Sequence, residues 1–348
     1  MNTSKVMPNQ ITPKPKARGD LTLEQSTHMQ NNTITIAGVD VGPGQQATID
    51  LPLAAMATHK NVEMTIHVIN GKKPGPNLFI SAAIHGDELN GVEIIRRLVK
   101  QKQMQQISGS LIAIPIVNVH GFITHSRYLP DGRDLNRSFP GSSTGSLASR
   151  MAYTFLTEIV SKSTHGIDLH TGARHRENLP QIRADLGNAE LKKLCLAFGG
   201  VSVIIDSKIR DGSLRQAGDD SKTPILLYEG GEALRFDESA IRIGVKGIQN
   251  VMRALGMLPE SKKTGKKNTG TPVTLISNTA WVRAPYSGIL RVFVRLGARC
   301  EKGCVLGVIA DPLGKNEYQV IAPETGIVIG RSKLPLVYEG DALFHLAY

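Results

Sequence analysis

Residues 77–97 read NLFISAAIHGDELNGVEIIRR, an apolar run, a polar turn and an amphipathic segment. The turn His85-Gly86-Asp87-Glu88 sets an imidazole and a carboxylate three residues apart, and both groups suit Zn²⁺. With ten His in the chain, one such pair arises easily by accident. Its meaning rests on whether other segments supply a third ligand, a general base and a grip on substrate.

They do. Three apolar runs each end in a polar residue that a core does not want: Ile84 before His85, Leu169 before His170, and Tyr228 before Glu229. In open α/β sheets the ligand crevice lies at the carboxyl ends of the strands, so neighbouring strands bring these ends together. His85, Glu88 and His170 then form a two-His, one-carboxylate set that leaves a fourth position for water, as in catalytic zinc sites. Any one of these His, taken alone, is more often a hydrogen-bonded residue at a strand end; the set carries the reading. Asp168, two residues before His170, shares its strand face and can orient the imidazole. Glu229 is the choice for the carboxylate that moves the proton, and the glycines after it permit close approach of substrate. Glu232 is the fallback, more exposed to solvent.

A long stretch, NVHGFITHSRYLPDGRDLNRSFPGSSTG, lacks apolar periodicity, and a loop of that length in a compact domain is usually functional. It holds Arg127 and Asp134-Leu135-Asn136-Arg137. A guanidinium fork binds a carboxylate through two parallel hydrogen bonds, so Arg137 with Asn136 makes a clamp for a free carboxylate. Arg127 is placed to polarise a carbonyl and to stabilise an oxyanion.

The elements that must position these groups follow from periodicity. Alternation at 33–36, 47–53 and 63–69 predicts strands, and Asn70-Gly71 predicts a hairpin leading into the strand 78–84. Leu89, Val92, Ile95 and Val99 share a helical face. Residues 111–117, 166–170, 201–205 and 224–228 read as buried strands, and 147–159, 189–198 and a stretch capped by Asp237 as helices. Strands alternating with helices predict a mixed α/β sheet flanked by helices. Beyond a Lys/Gly/Thr-rich stretch the pattern turns to short strands and glycine turns, and 284–290 echoes 322–328, predicting a small β-barrel or sandwich. The expected organisation is a disordered basic tail at 1–30, an α/β hydrolase domain at 31–257, a linker at 258–271 and a C-terminal β domain at 272–348.

Composition narrows the function classes. The chain has 348 residues and a net charge of +11, but many of its lysines sit in the tail and in the linker without interleaved aromatics. That predicts no nucleic-acid recognition; a positive field that steers small anionic substrates is the preferred use. No run of apolar residues is long enough for a membrane span, and the first residues lack the apolar core of a secretory signal, so a cytoplasmic protein is expected. Three cysteines fit unpaired thiols in a reducing compartment. Oligomeric state is left open, a homo-oligomer included.

His85-Gly86-Asp87-Glu88, Asp134-Leu135-Asn136-Arg137, Asp168-Leu169-His170 and Glu229, in that order, resemble the succinylglutamate desuccinylase/aspartoacylase family, a branch of the zinc carboxypeptidase-like hydrolases. The resemblance extends over residues 33–348. It implies one zinc per subunit on His85, Glu88 and His170, with Glu229 as the general acid/base. It implies that Asn136 and Arg137 hold the substrate carboxylate and that Arg127, followed by Tyr128, polarises the scissile carbonyl. Arg215, in SLRQAG, is similar to an arginine of bacterial members near the acyl or side-chain pocket. The tyrosine and arginine that aspartoacylase places before its glutamate have no close match. The C-terminal region resembles a lipoyl-like barrel in which Lys315 stays unmodified. The expectation is zinc-dependent hydrolysis of an N-acyl amino acid or a related small amide. The rivals are a zinc carboxypeptidase acting on peptides and a catalytically silent metal-binding protein.

Overall fold

The computed structural model describes residues 32–55, 58–260 and 273–348. The expected tail at 1–30 and most of the expected linker lie outside the described residues. A two-stranded ribbon, β1 (Ile34–Ile36) and β2 (Val39–Val41), precedes the antiparallel pair β3 (Gln46–Ala55) and β4 (Asn61–Asn70). There follow β5 (Lys73–Ala82), α1 (Asn90–Val99), β6 (Ser108–Ile114), α2 (Val119–Ile123), α3 (Leu147–Glu158), β7 (His165–Gly172) and β8 (Arg176–Ala184). Next come α4 (Ala189–Phe198), β9 (Val203–Asp206), α5 (Leu214–Asp220), β10 (Ile225–Glu232) and α6 (Glu238–Ala254).

The centre of the sheet is parallel: β6 lies beside β5, β5 beside β7, and β7 beside β10. These strands are apolar runs because both faces are covered. Ile94, Ile95, Phe198, Ile248 and Val251 of α1, α4 and α6 pack in one core cluster, and Met151, Phe155 and Leu214 of α3 and α5 in a second one. Asp237 caps α6, its Oδ1 accepting from the backbone N–H of Ser239 and Ala240 at 2.9 and 3.0 Å.

The hairpin expected at Asn70-Gly71 does not form between β4 and β5, because β6 lies between them and pairs with both. Asn70 is buried instead and works as a tie, donating to the Val41 carbonyl at 2.8 Å and accepting from the Ser110 hydroxyl at 2.7 Å. Gly71 runs so close to β6 that a Cβ there would sit 2.0 Å from the Ile107 carbonyl oxygen. The same two residues that suit a hairpin turn suit this close crossing.

Residues 273–348 add β11 (Thr274–Ile276), β12 (Thr279–Arg283), β13 (Gly288–Val292), β14 (Arg299–Cys300), β15 (Val305–Ala310), β16 (Glu317–Ile321), β17 (Gly326–Ser332), β18 (Leu336–Val337) and β19 (Ala342–Ala347). Strands β13, β15, β16 and β18 make a separate four-stranded sheet. The others join the main sheet, β17 against the start of β8 and β11 against β9. The C-terminal strands therefore stand beside the carboxyl ends of β7 and β10. No helix among the described residues is long and apolar enough to cross a membrane.

Candidate active site

Adjacency of β5, β7 and β10 makes the three polar strand ends meet, and Glu229 is paired in register with His170. After β5 the chain turns sharply through Ala83, whose φ is 49°, into His85. Gly86 is required there, since a Cβ would lie 2.0 Å from the Gly121 backbone carbon. A second glycine requirement follows Glu229: Gly231 has φ 80° and lies where the β10–β7 register shifts.

His85, Glu88 and His170 are all buried, with one ligand atom from each lying within 4.8 Å of the others. His85 Nδ1 is 2.8 Å from Glu88 Oε1, and His170 Nδ1 is 2.8 Å from Glu88 Oε2. The opposite ring nitrogens face carboxylates: His170 Nε2 lies 2.7 Å from Asp168 Oδ2, and His85 Nε2 lies 3.1 Å from Asp134 Oδ1. Asp168 is itself fixed by the Ser81 hydroxyl at 2.8 Å. A carboxylate at Nε2 holds the proton on that nitrogen and leaves Nδ1 as a lone pair. Each Nδ1 then faces a Glu88 oxygen, acceptor against acceptor, a conflict that either a second proton on the ring or a metal cation between the three groups resolves. Two imidazoles and one carboxylate, with outer carboxylates behind both rings, fit a zinc ion.

Burial alone would raise the Glu88 pKa, but His85 and His170 outweigh it and hold the carboxyl well below its usual range. Burial likewise opposes the charged form of Asp134, and His85 and Arg127 override it. Arg127 donates to Glu88 Oε1 at 3.2 Å and to Asp134 Oδ2 at 3.0 Å, which places its guanidinium at the edge of the cluster.

Glu229 is pinned from the neighbouring strand. Asn178 of β8 donates to its Oε2 at 2.7 Å, and Arg183 Nε lies 3.4 Å from its Oε1. Its side chain keeps 18% exposure, open to the cleft. Glu232, the fallback base, turns away from the ligand cluster to take the backbone N–H of His175 at 3.1 Å and the ammonium of Lys333 at 3.3 Å.

The long loop brings Asn136 and Arg137 to the same cleft, of about 550 Å³. Asn136 carries a structural duty, its Oδ1 accepting from the Leu214 N–H at 2.8 Å at the start of α5. Arg137 donates to the Asn136 carbonyl, and burial lowers its pKa. Arg215 of α5 also lines the cleft; its guanidinium is buried and donates to the Ser207 hydroxyl at 2.7 Å and the Ser207 carbonyl at 3.0 Å.

Several site residues were not anticipated from the sequence: Asp134 behind His85, Asn178 and Arg183 behind Glu229, and Trp281 and His345 of the C-terminal strands on the cleft wall. Asp134 lies inside a motif already singled out for Asn136 and Arg137, and that was the signal available. The other four gave none.

The family model of the succinylglutamate desuccinylase/aspartoacylase catalytic domain matches residues 74–255, a little over half of the chain. The chain belongs to the succinylglutamate desuccinylase/aspartoacylase family. An N-alpha-acetyl-L-2,4-diaminobutyric acid deacetylase of Halomonas elongata is 24% identical over 313 residues, covering 87% of this chain and 91% of that protein. Among solved structures, a succinylglutamate desuccinylase/aspartoacylase of Rhodobacter sphaeroides superposes with a TM-score of 0.76 at 23% identity, covering 87% of this chain and 95% of the other. The product-bound ectoine utilization protein EutE (DoeB) of Ruegeria pomeroyi gives 0.76 at 22% identity, with the same coverage. These structures share the family's fold, which spans the C-terminal strands as well as the matched catalytic domain.

Proposed function

We propose that this family member is a zinc-dependent amidohydrolase that cleaves an N-acyl amino acid, or a related small N-acyl compound, to a carboxylate and an amine. The reading rests chiefly on Glu229, an acid fixed by Asn178 and Arg183 and paired in register with His170. His85, Glu88 and His170 would hold one zinc ion per subunit. Bound there, zinc supplies a Lewis acid and makes water acidic enough to attack at neutral pH.

Glu229 accepts a proton from the attacking water as the new C–O bond forms at the amide carbon. It returns that proton to the nitrogen as the C–N bond breaks, so one carboxylate serves as base and then as acid. Arg127 faces the carbonyl oxygen and offsets the charge that develops on it. Asn136 and Arg137 take the free carboxylate of the amino acid and align the amide, and Arg215 binds elsewhere on the same substrate. The β segment of 272–348, proposed as a domain joined by the linker 258–271 to the hydrolase domain of 31–257, supplies one wall of the cleft and narrows access to small molecules.

The relative from Halomonas, named for deacetylation of a small N-acetyl amino acid, supports the reaction class. A zinc carboxypeptidase acting on peptides is the rival. Zinc-loaded protein should release amine from N-acetyl or N-succinyl amino acids and leave C-terminal residues of tetrapeptides intact. Release of C-terminal amino acids without deacylation would replace this reading by the rival.

A further inference from the structure

Glu229 is the last residue of β10 before its pairing turns irregular on both sides. Against β7 the register runs unbroken from Ile225 to Glu229 and shifts before Glu232, and against β8 it shifts between Glu229 and Gly231. The peptide that follows the proposed base therefore leaves the regular ladder, and a buried carbonyl there needs another partner. Asn90 supplies it. Its Nδ2 donates to the Gly230 carbonyl at 2.9 Å, and its Oδ1 accepts from the Asp237 N–H at 2.9 Å. One partner is an acceptor and the other a donor, so a single orientation of the amide satisfies both.

The side chain of Asn90 is buried, and the residue opens α1 just after the ligand Glu88. Helix α1 thus begins at the turn that carries His85 and Glu88, and α6 begins at Asp237, where the turn after Glu229 ends. Asn90 joins the two beginnings. A second tie runs beside it, the Leu234 N–H donating to the Asp87 carbonyl at 2.8 Å. Leu234 has a φ of 59°, a left-handed conformation that a leucine rarely adopts, so its contacts hold this turn against its own preference. Gly231 leaves room for the amide: a Cβ there would lie 2.4 Å from Asn90 Nδ2.

We propose that Asn90 is a positioning residue that sets Glu229 relative to the ligand cluster by bracing the turn 230–237 against the turn 85–88. The proposal rests on the deacylase reading, in which Glu229 moves the proton. Asn178 and Arg183 hold the Glu229 carboxylate from β8, and Asn90 holds the backbone behind it from α1. The bonds of the Asn90 amide go to the backbone at 230 and 237, not to a ligand side chain or to Asn136 and Arg137. Its loss therefore acts on the geometry of proton transfer and leaves zinc and substrate affinity in place. A misplacement of about 1 Å in a reacting group costs about 100-fold in rate.

The test compares zinc-loaded parent protein with Asn90→Ala, Asn90→Ser and Arg97→Gln. Arg97 is the control because it ties the same two helices away from the cluster, donating to both carboxylate oxygens of Glu238 at 2.8 Å. In Asn90→Ala, kcat on an N-acyl amino acid should fall at least about tenfold, while KM and zinc content stay parental. Arg97→Gln should keep the parental kcat even where its melting temperature drops. Hydrogen exchange gives a readout independent of turnover: the backbone amides of 230–237 should exchange faster in Asn90→Ala, and those of β5 should not. Should the alanine variant fail to fold, Asn90→Ser, with one short hydroxyl for two partners, is read for the same split. A parental kcat, a loss that tracks zinc content, a rise in KM alone, or an equal loss in Arg97→Gln overturns the proposal and leaves the deacylase reading standing. If the parent cleaves no N-acyl amino acid, the deacylase reading fails and exchange decides alone: a turn 230–237 as protected in the variant as in the parent refutes the brace.

Discussion

Asp134→Asn tests how the metal site is held together. Asp134 Oδ1 lies 3.1 Å from His85 Nε2 and accepts from the Asn136 N–H at 2.9 Å, while Oδ2 accepts from Arg127 at 3.0 Å. The substitution keeps an amide oxygen that can still accept, but it removes the charge that fixes the His85 tautomer and counters Arg127. Loss of a carboxylate behind a ligand histidine costs about 10–100-fold in metal affinity. That corresponds to about 1.4–2.8 kcal/mol. Because Asp134 touches a ligand, the proposed carbonyl-polarising Arg127 and the turn that presents Asn136, the upper part of that range is expected. Competition with a chromogenic chelator at neutral pH measures the zinc Kd of parent and variant directly. The variant should bind zinc close to 100-fold more weakly, by the same rule, while keeping its circular dichroism spectrum. A zinc Kd equal to the parent's would refute the argument that the outer carboxylates set the histidine lone pairs.

Two further substitutions examine the frame around the site. Gly86→Ala puts a methyl 2.0 Å from the Gly121 backbone carbon and 2.2 Å from the Phe122 nitrogen, so the turn carrying His85 and Glu88 must move. A cost of about 2–3 kcal/mol is expected from such overpacking. It would appear as a lower melting temperature with reduced zinc occupancy, and a variant matching the parent in both would contradict the close approach. Glu93 of α1 is held by Arg96 at 2.5 Å and Arg97 at 2.6 Å, and these bonds lower its pKa from 4.5 to about 2. A depressed carboxylate pKa stabilises the fold above the unfolded value, and that stability is lost as pH falls through the folded one. The melting-temperature gap between parent and Glu93→Gln should therefore be full at neutral pH and close between pH 4.5 and about 2. Its size is about 1 kcal/mol at most, since both arginines reach solvent. A gap independent of pH would show that the ion pairs contribute nothing.

The candidate site was legible where an apolar strand ended abruptly in a polar residue. Strands β5, β7 and β10 are buried on both faces, so His85, His170 and Glu229 stood out against Ile84, Leu169 and Tyr228. Strand β8 was not legible. Its sequence RENLPQIRA carries a proline and mixed polarity because it pairs with β17, β10 and β9 along different parts of its length. Asn178 and Arg183 look like surface residues in the sequence, yet they turn toward Glu229. Helix α5 is seven residues long and contains Gly218, too short and too weak a former to show periodicity. Asn70-Gly71 was misread because turn chemistry does not say which strand comes to lie alongside. Trp281 and His345 were invisible for a different reason: they face each other in the β12–β19 register, 64 positions apart in the chain, and only the docking of the C-terminal strands brings them to the cleft.

The central claim is that His85, Glu88 and His170 hold one zinc and that Glu229 moves the proton. Metal analysis paired with turnover, on parent protein and Glu229→Gln, tests both halves together. The account predicts one zinc per chain in each protein, hydrolysis of an N-acyl amino acid by the parent, and none by the variant. A variant that keeps its zinc and still turns over at the parental rate would contradict it.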